Sequence, residues 1–121
     1  MSVEKKIQRK TVEYARKKGM LAFKIDVGAQ RGWPDYLFVD TQGYHFWIEF
    51  KAPGKKPQPI QLHRAHELTH RGVVVFLVDN EEEGKRIIDA VDSSRVPEEG
   101  DRAPAESGER RIITGPGIRK D

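Results

Sequence analysis

Two short runs dense in aromatic and β-branched residues, Asp35 to Val39 and Tyr44 to Lys51, flank the tetrapeptide Asp40-Thr41-Gln42-Gly43. Runs of this kind fit a pleated, buried surface, and a short polar turn ending in glycine joins them as a hairpin. If Thr41-Gln42-Gly43 is a three-residue loop with Gly43 left-handed, Asp40 pairs with Tyr44 and Asp35 falls opposite Glu49. Side chains alternate across a strand, so Glu49 and Lys51 share one face and Phe50 lies on the other. A slip of one residue would move Asp35 to a diagonal position. Both registers gather two carboxylates and an ammonium at one end of a hairpin whose other positions (Leu37, Phe38, Phe46, Trp47, Ile48) are strongly apolar. Charges beside such a run must be paired, metal-bound or at the rim.

The flanking chain supplies helices and two further strands. Val3, Ile7, Val12 and Ala15 recur at helical spacing over residues 3–18, and Gly19 stops that helix. Met20 to Val27 reads as a strand, followed by the flexible loop Gly28-Ala29-Gln30-Arg31-Gly32. Ala52 to Pro59 is a loop rich in proline and lysine, and a helix follows from Pro59 or Ile60 to Arg71, with Gly72 past its end. Val73 to Val78 has the continuous apolar character of a buried strand. Strand, helix, strand in that order implies a right-handed crossover and a parallel pair. Asn80 is placed to cap a last helix over Glu81 to Val91, in which Gly84 is a weak spot. The expected fold is a single α/β domain over residues 1–91 with a mixed sheet, in the order α-β-β-β-α-β plus a C-terminal helix. Residues 92–121, rich in Pro, Gly, Ser and mixed charge, read as a flexible polar tail with one candidate ordered piece at Ile112-Ile113.

Charge and composition narrow the function classes. The net charge is only +3, but fourteen Lys/Arg and seven Asp/Glu precede Phe76, whereas eight and twelve follow it. A basic half suits a polyanion such as nucleic acid, although Lys/Arg counts alone also describe a solvated helix face. With no cysteine there is no disulfide framework and no thiolate metal site. The longest apolar run, Val73 to Val78, is far too short to span a membrane, and the first residues lack a signal-peptide core. The expectation is a cytoplasmic protein without a membrane partner.

Asp35 and Glu49 are hard oxygen ligands of the kind that suit Mg²⁺ or Mn²⁺, and Lys51 adds fixed positive charge against a phosphoryl transition state. Gln61, ten residues beyond Lys51, falls near Ala65 and Leu68 on the apolar face of its helix, an odd place for an amide unless it has a partner. At these residues the chain resembles the PD-(D/E)XK nuclease superfamily and, within it, the virus-type replication-repair nuclease (VRR-NUC) family. The resemblance runs from about Glu4 to Ile88. It takes in a first helix carrying Glu4, the Gly-Trp-Pro-Asp turn, the Ile-Glu-Phe-Lys strand, a Pro/Gly/Lys loop, Gln61 opening a helix, and a Gly-Val-Val-Val strand.

The resemblance implies a restriction-endonuclease-like core and a metal-dependent DNA endonuclease in a bacterial or phage-infected cell. Asp35, Glu49, the Phe50 carbonyl and Glu4 would be metal ligands, Lys51 the catalytic lysine and Gln61 a supporting polar residue. Glu13 competes with Glu4 as the acidic residue of the first helix. Small stand-alone members look like homodimers that cut branched DNA such as four-way junctions or flaps, so the resemblance implies a homodimer as well.

Softer expectations attach to other residues. Lys24, Gln30, Arg31, Lys55 and Lys56 flank the carboxylates and are candidates for phosphate contacts. Trp33 either stacks on a base or covers the core, and His45 is expected to be structural. Two rival functions remain. One is a non-catalytic DNA-binding module on the same fold. The other is a zinc protease through His66-Glu67-Leu68-Thr69-His70, which fits H-E-x-x-H. Against the latter, Leu62 and Leu68 are expected to bury the side of the helix near Gln61 and leave His63, His66 and His70 wet, with no evident third ligand.

Overall fold

The computed structural model describes residues 1–94. The elements run α1 (Val3–Lys17), β1 (Leu21–Lys24), β2 (Tyr36–Val39), β3 (His45–Phe50), α2 (Pro59–Thr69), β4 (Val75–Val78) and α3 (Glu81–Ser94). The four strands form one sheet in the order β1-β2-β3-β4, antiparallel except for the parallel pair β3–β4. This is the mixed sheet and element order expected from the sequence, with shorter strands. β1 covers only Leu21–Lys24 of the expected Met20–Val27 segment.

Local chemistry accounts for the element ends. The Ser2 hydroxyl accepts the Lys5 N–H at 3.1 Å to open α1. At the other end Met20 N–H reaches back to the Ala15 carbonyl at 3.1 Å and Gly19 N–H to that of Arg16 at 3.0 Å, with Gly19 at φ 88°. That double return requires a left-handed residue, so glycine ends the helix. The same pair of bonds, Val73 to Leu68 and Gly72 to Thr69, closes α2. Asn80 caps α3 as expected, its Oδ1 accepting the Glu83 N–H at 2.8 Å. α3 extends beyond the expected domain boundary at residue 91, to Ser94. The proposed tail and its Ile112-Ile113 piece lie outside the described residues, apart from 92–94.

Alternation along the strands divides the sheet into two unlike faces. The inner face carries Ala22, Phe38, Phe46, Ile48, Phe50, Phe76 and Val78, all buried, and packs on Ile7, Val12 and Ala15 of α1 and Ile87, Ile88 and Val91 of α3. Phe38 and Phe46 stack at 5.2 Å between ring centroids, and Phe76 meets Phe46 edge-on at 5.8 Å. On the outer face α2 packs against β4 and reaches β3 through the Gln61–Glu49 hydrogen bond, with Ala65 and Val75 buried, while Leu21 and Phe23 of β1 are exposed.

Gly84 has a reason that a helix-propensity reading misses. A Cβ there would overlap the Thr11 hydroxyl and lie 3.1 Å from its methyl group. The missing side chain is what lets α1 and α3 approach.

Candidate active site

The hairpin register places the carboxylates. β2 and β3 pair Tyr36 with Ile48, Leu37 with Trp47, Phe38 with Phe46 and Val39 with His45. The Asp40 N–H bonds to Tyr44 O at 2.8 Å, and Gly43 adopts φ 89° in the three-residue loop. Asp40 itself is buried and its Oδ1 accepts the N–H groups of Gln42 and Tyr44 at 2.8 and 2.9 Å, which locks the turn. Of the two registers open to the sequence, the one setting Asp35 beside Glu49 is adopted. Continuing it by one residue brings Asp35 to the end of β3, where its Oδ2 accepts the Phe50 N–H at 2.8 Å.

Glu49 is the most unusual residue in the molecule. It points to the outer face beneath the start of α2 and is only 2 % exposed. Its Oε2 accepts a hydrogen bond from Gln61 Nε2 at 2.7 Å and lies 3.7 Å from Lys51 Nζ. Its Oε1 is buried and has no partner. Burial, and after it the charge of Asp35, pushes the Glu49 carboxyl up from 4.5 to about 8, against the opposing pull of Lys51. Burial also raises Asp35, with the Phe50 N–H working the other way.

Glu4 is half-buried near this pair, and its charge raises both carboxyls. Glu13 is exposed and faces Arg9 at 3.7 Å, so of the two helix-1 candidates only Glu4 stands near Asp35 and Glu49. Three carboxylates therefore share a region whose neighbouring ammonium groups are Lys24 and Lys51, both of which act on Asp35. A buried, unpartnered carboxylate oxygen in a locally anionic cluster fits a hard divalent cation. Among the described residues no group of three or more His, Cys, Asp or Glu is placed to hold a metal ion. Mg²⁺ does not require such a group, since it binds through one or two carboxylates and keeps several waters.

Gln61 serves two ends of its side chain at once. Its Oε1 accepts the Gln58 N–H at 2.8 Å, closing the first turn of α2, while its amide nitrogen holds Glu49. Phe50 buries its ring in the core between the two polar neighbours. Lys24 is exposed, its ammonium 5.9 Å from the Tyr36 ring centre. Gln30, Arg31, Lys55 and Lys56 are exposed on the loops. The lysine loop is tied to the end of β4 by Gly54 N–H to Asp79 Oδ2 at 3.1 Å, a tether with no sequence signal.

Two further expectations resolve differently. Trp33 lies outside the core cluster: it is half-buried, with the Arg64 guanidinium 4.7 Å from its ring. On α2, His63, His66 and His70 are exposed as expected, but Leu62 is exposed too, because Ala65 and Thr69 are the residues facing the sheet. His70 Nδ1 lies 3.1 Å from the His66 carbonyl, and Glu67 is paired with Arg64 at 3.0 Å. The H-E-x-x-H pattern is a surface coincidence of a short helix.

No family model matches the chain. It is 35 % identical over 79 residues to "Putative nuclease p44" of Acyrthosiphon pisum secondary endosymbiont phage 1, covering 65 % of this chain and 85 % of that protein. A solved structure described as a VRR_NUC domain superposes with a TM-score of 0.69 at 27 % identity, covering 74 % of this chain and 97 % of the other. Sequence identity over most of the relative, and a shared fold over nearly all of the solved domain, agree: the chain belongs to the VRR-NUC family of PD-(D/E)XK nucleases.

Proposed function

We propose that the chain is an endonuclease that hydrolyses DNA phosphodiester bonds with Mg²⁺ or Mn²⁺ held by Asp35, Glu49 and the Phe50 carbonyl, with Glu4 beside them. The observation that carries this reading is Glu49: a buried carboxylate with one oxygen fixed by Gln61 and the other left without a partner. A divalent cation there supplies Lewis acidity toward a phosphate oxygen and acidifies water. The protein's own groups do the rest. The Phe50 N–H fixes one Asp35 oxygen and Gln61 fixes one Glu49 oxygen, so both carboxylates are held before substrate arrives. Lys51, only 14 % exposed at its side chain, offers a preorganised positive charge to the phosphoryl group as negative charge develops on it. Lys24, Arg31, Lys55 and Lys56 hold backbone phosphates on either side.

Selectivity for branched DNA, four-way junctions or flaps, acting as a homodimer, is the finer part of the proposal. It is supported by the family and by the lack of any second domain among the described residues for reading base sequence, which leaves shape and phosphates as the basis of choice.

The test is incubation with linear, nicked, flapped and four-way-junction DNA in EDTA, Mg²⁺ and Mn²⁺. Cleavage requires metal and favours the branched substrates. Lys51→Ala and Glu49→Gln each lower the rate by at least about 10²-fold while leaving DNA binding in EDTA near wild type. Undiminished cleavage in both variants overturns the catalytic assignment, and salt-dependent binding without any product identifies a non-catalytic DNA-binding module.

A further inference from the structure

Asp35 arrives at the site from a long loop, Ile25 to Pro34, closed at its neck by Ile25 N–H to Asp35 O at 2.8 Å. The outgoing arm and tip, residues 26–31, are exposed. The returning arm instead lies against α2. Gly32, at φ 88°, sits so close to Ile60 that a Cβ there would stand 2.8 Å from the Ile60 carbonyl oxygen. Arg64, one helical turn beyond Gln61, completes the contact: its Nε donates to the Arg31 carbonyl at 3.0 Å and its guanidinium lies 4.7 Å from the Trp33 ring centre. Its Nη1 donates to Glu67 Oε1 at 3.0 Å. The Trp33 indole N–H is itself held by Gln30 Oε1 at 3.3 Å.

We propose that Arg64 is a positioning residue for the metal site, an inference that rests on the nuclease reading above. The guanidinium is engaged by a backbone carbonyl, an aromatic face and a carboxylate, an arrangement suited to a planar fork. What it joins is specific. Trp33 and Arg31 lie two and four residues before Asp35, and Gln61 lies three residues before Arg64. The clamp therefore stitches the arm that delivers Asp35 to the helix that delivers the Glu49 partner. The two sides of the site reach one another through a residue that touches neither carboxylate.

The test is titration of the full chain with Mn²⁺ by calorimetry, without DNA, alongside cleavage as a function of Mn²⁺. Arg64→Ala raises the Mn²⁺ dissociation constant about tenfold, at the low end for outer partners of metal ligands. The midpoint of Mn²⁺ activation moves with it, and kcat at saturating Mn²⁺ falls by less than that midpoint shifts. Arg64→Lys, which keeps a donor but loses the planar face, gives an intermediate shift. Trp33→Leu leaves both hydrogen bonds of Arg64 and gives a smaller shift in the same direction, and it carries the test if Arg64→Ala folds poorly.

Wild-type Mn²⁺ affinity in folded Arg64→Ala, or in Trp33→Leu should Arg64→Ala not fold, overturns the proposal. So does a loss of DNA affinity in EDTA with Mn²⁺ affinity unchanged, which would make Arg64 a phosphate contact. A wild-type chain that neither binds Mn²⁺ nor cleaves overturns the metal-dependent reading itself. Normal wild-type behaviour matched by the variants overturns only the role of Arg64.

Discussion

On the inner face of β3, Phe46, Ile48 and Phe50 are fully buried among aromatic and aliphatic partners; on its outer face Glu49 is almost as buried, and one of its carboxylate oxygens has nothing to bond. The same six-residue strand thus carries favourable apolar burial on one face and an unfavourable buried carboxyl on the other. Apolar surface removed from water stabilises at roughly 25 cal/mol per Å², while a buried ionised group without full compensation costs free energy. The inner face holds the fold together, and the stability it supplies offsets the cost of burying the Glu49 carboxyl on the outer face. Burial by itself does not distinguish a core from a site. The partners of the buried atoms do.

The comparison breaks most visibly if the inner face is emptied. Phe38→Ala, in the stacked pair with Phe46, should destabilise by about 3–5 kcal/mol in denaturant titration, since it removes a large ring from a packed interior. If the loss is under 1 kcal/mol, the two faces do not divide the work as described.

The outer face predicts the opposite sign. The folded-state pKa of Glu49, about 8, lies above the ordinary 4.5, so the folded protein holds a proton that the unfolded chain releases between those values. Stability in EDTA should therefore be highest below about pH 4.5 from this group and fall as pH rises toward 8, by a few kcal/mol at most. The raised Asp35 acts in the same direction. Glu49→Gln flattens that slope and raises stability at pH 8, and Mg²⁺ restores the wild type alone. Denaturation curves between pH 5 and 8, with and without Mg²⁺, read all three; a wild-type stability that climbs with pH would refute the desolvation account.

The smallest effect tests the helix layer behind the inner face. Gly84→Ala gains about 1 kcal/mol in helix propensity, but its methyl group has no room beside Thr11. The clash should win, for a net loss of about 1 kcal/mol in thermal or chemical denaturation. A net gain would show that α1 and α3 can part without cost.

Much of this was legible in the chain. Gly43 and Asp40 pointed to a three-residue loop and so to Asp35 beside Glu49. A slip of one residue stayed open to the sequence, and the strand pairing decided it. Gln61 was flagged by its position among apolar neighbours, and Gly19, Gly72 and Asn80 marked helix ends through local hydrogen-bonding chemistry. The extent of β1 was not legible, because Ile25 and Val27 have strand-like side chains but the chain leaves its neighbour after the Ile25–Asp35 bond at the loop neck. The outward turn of Leu62 was missed for a related reason: two small residues, Ala65 and Thr69, let α2 sit close to the sheet, and that choice is made by the partner surface.

Alternation, turn chemistry and helix caps act between residues close in sequence, and they determined the order of elements and the gathering of Asp35, Glu49 and Lys51 at one end of the hairpin. The choice between its two registers came with the folded strand pair. Contacts between segments distant in sequence were decided only by the tertiary structure: Arg64 on Trp33 and the Arg31 carbonyl, Asp79 on Gly54, Gly84 against Thr11, and the choice of Glu4 over Glu13 beside the carboxylates. Nothing near these residues in the chain signals a partner, because each contact depends on how two separately formed elements pack. Local interactions placed the charges on one face. Packing decided which of them would be buried and left without a partner.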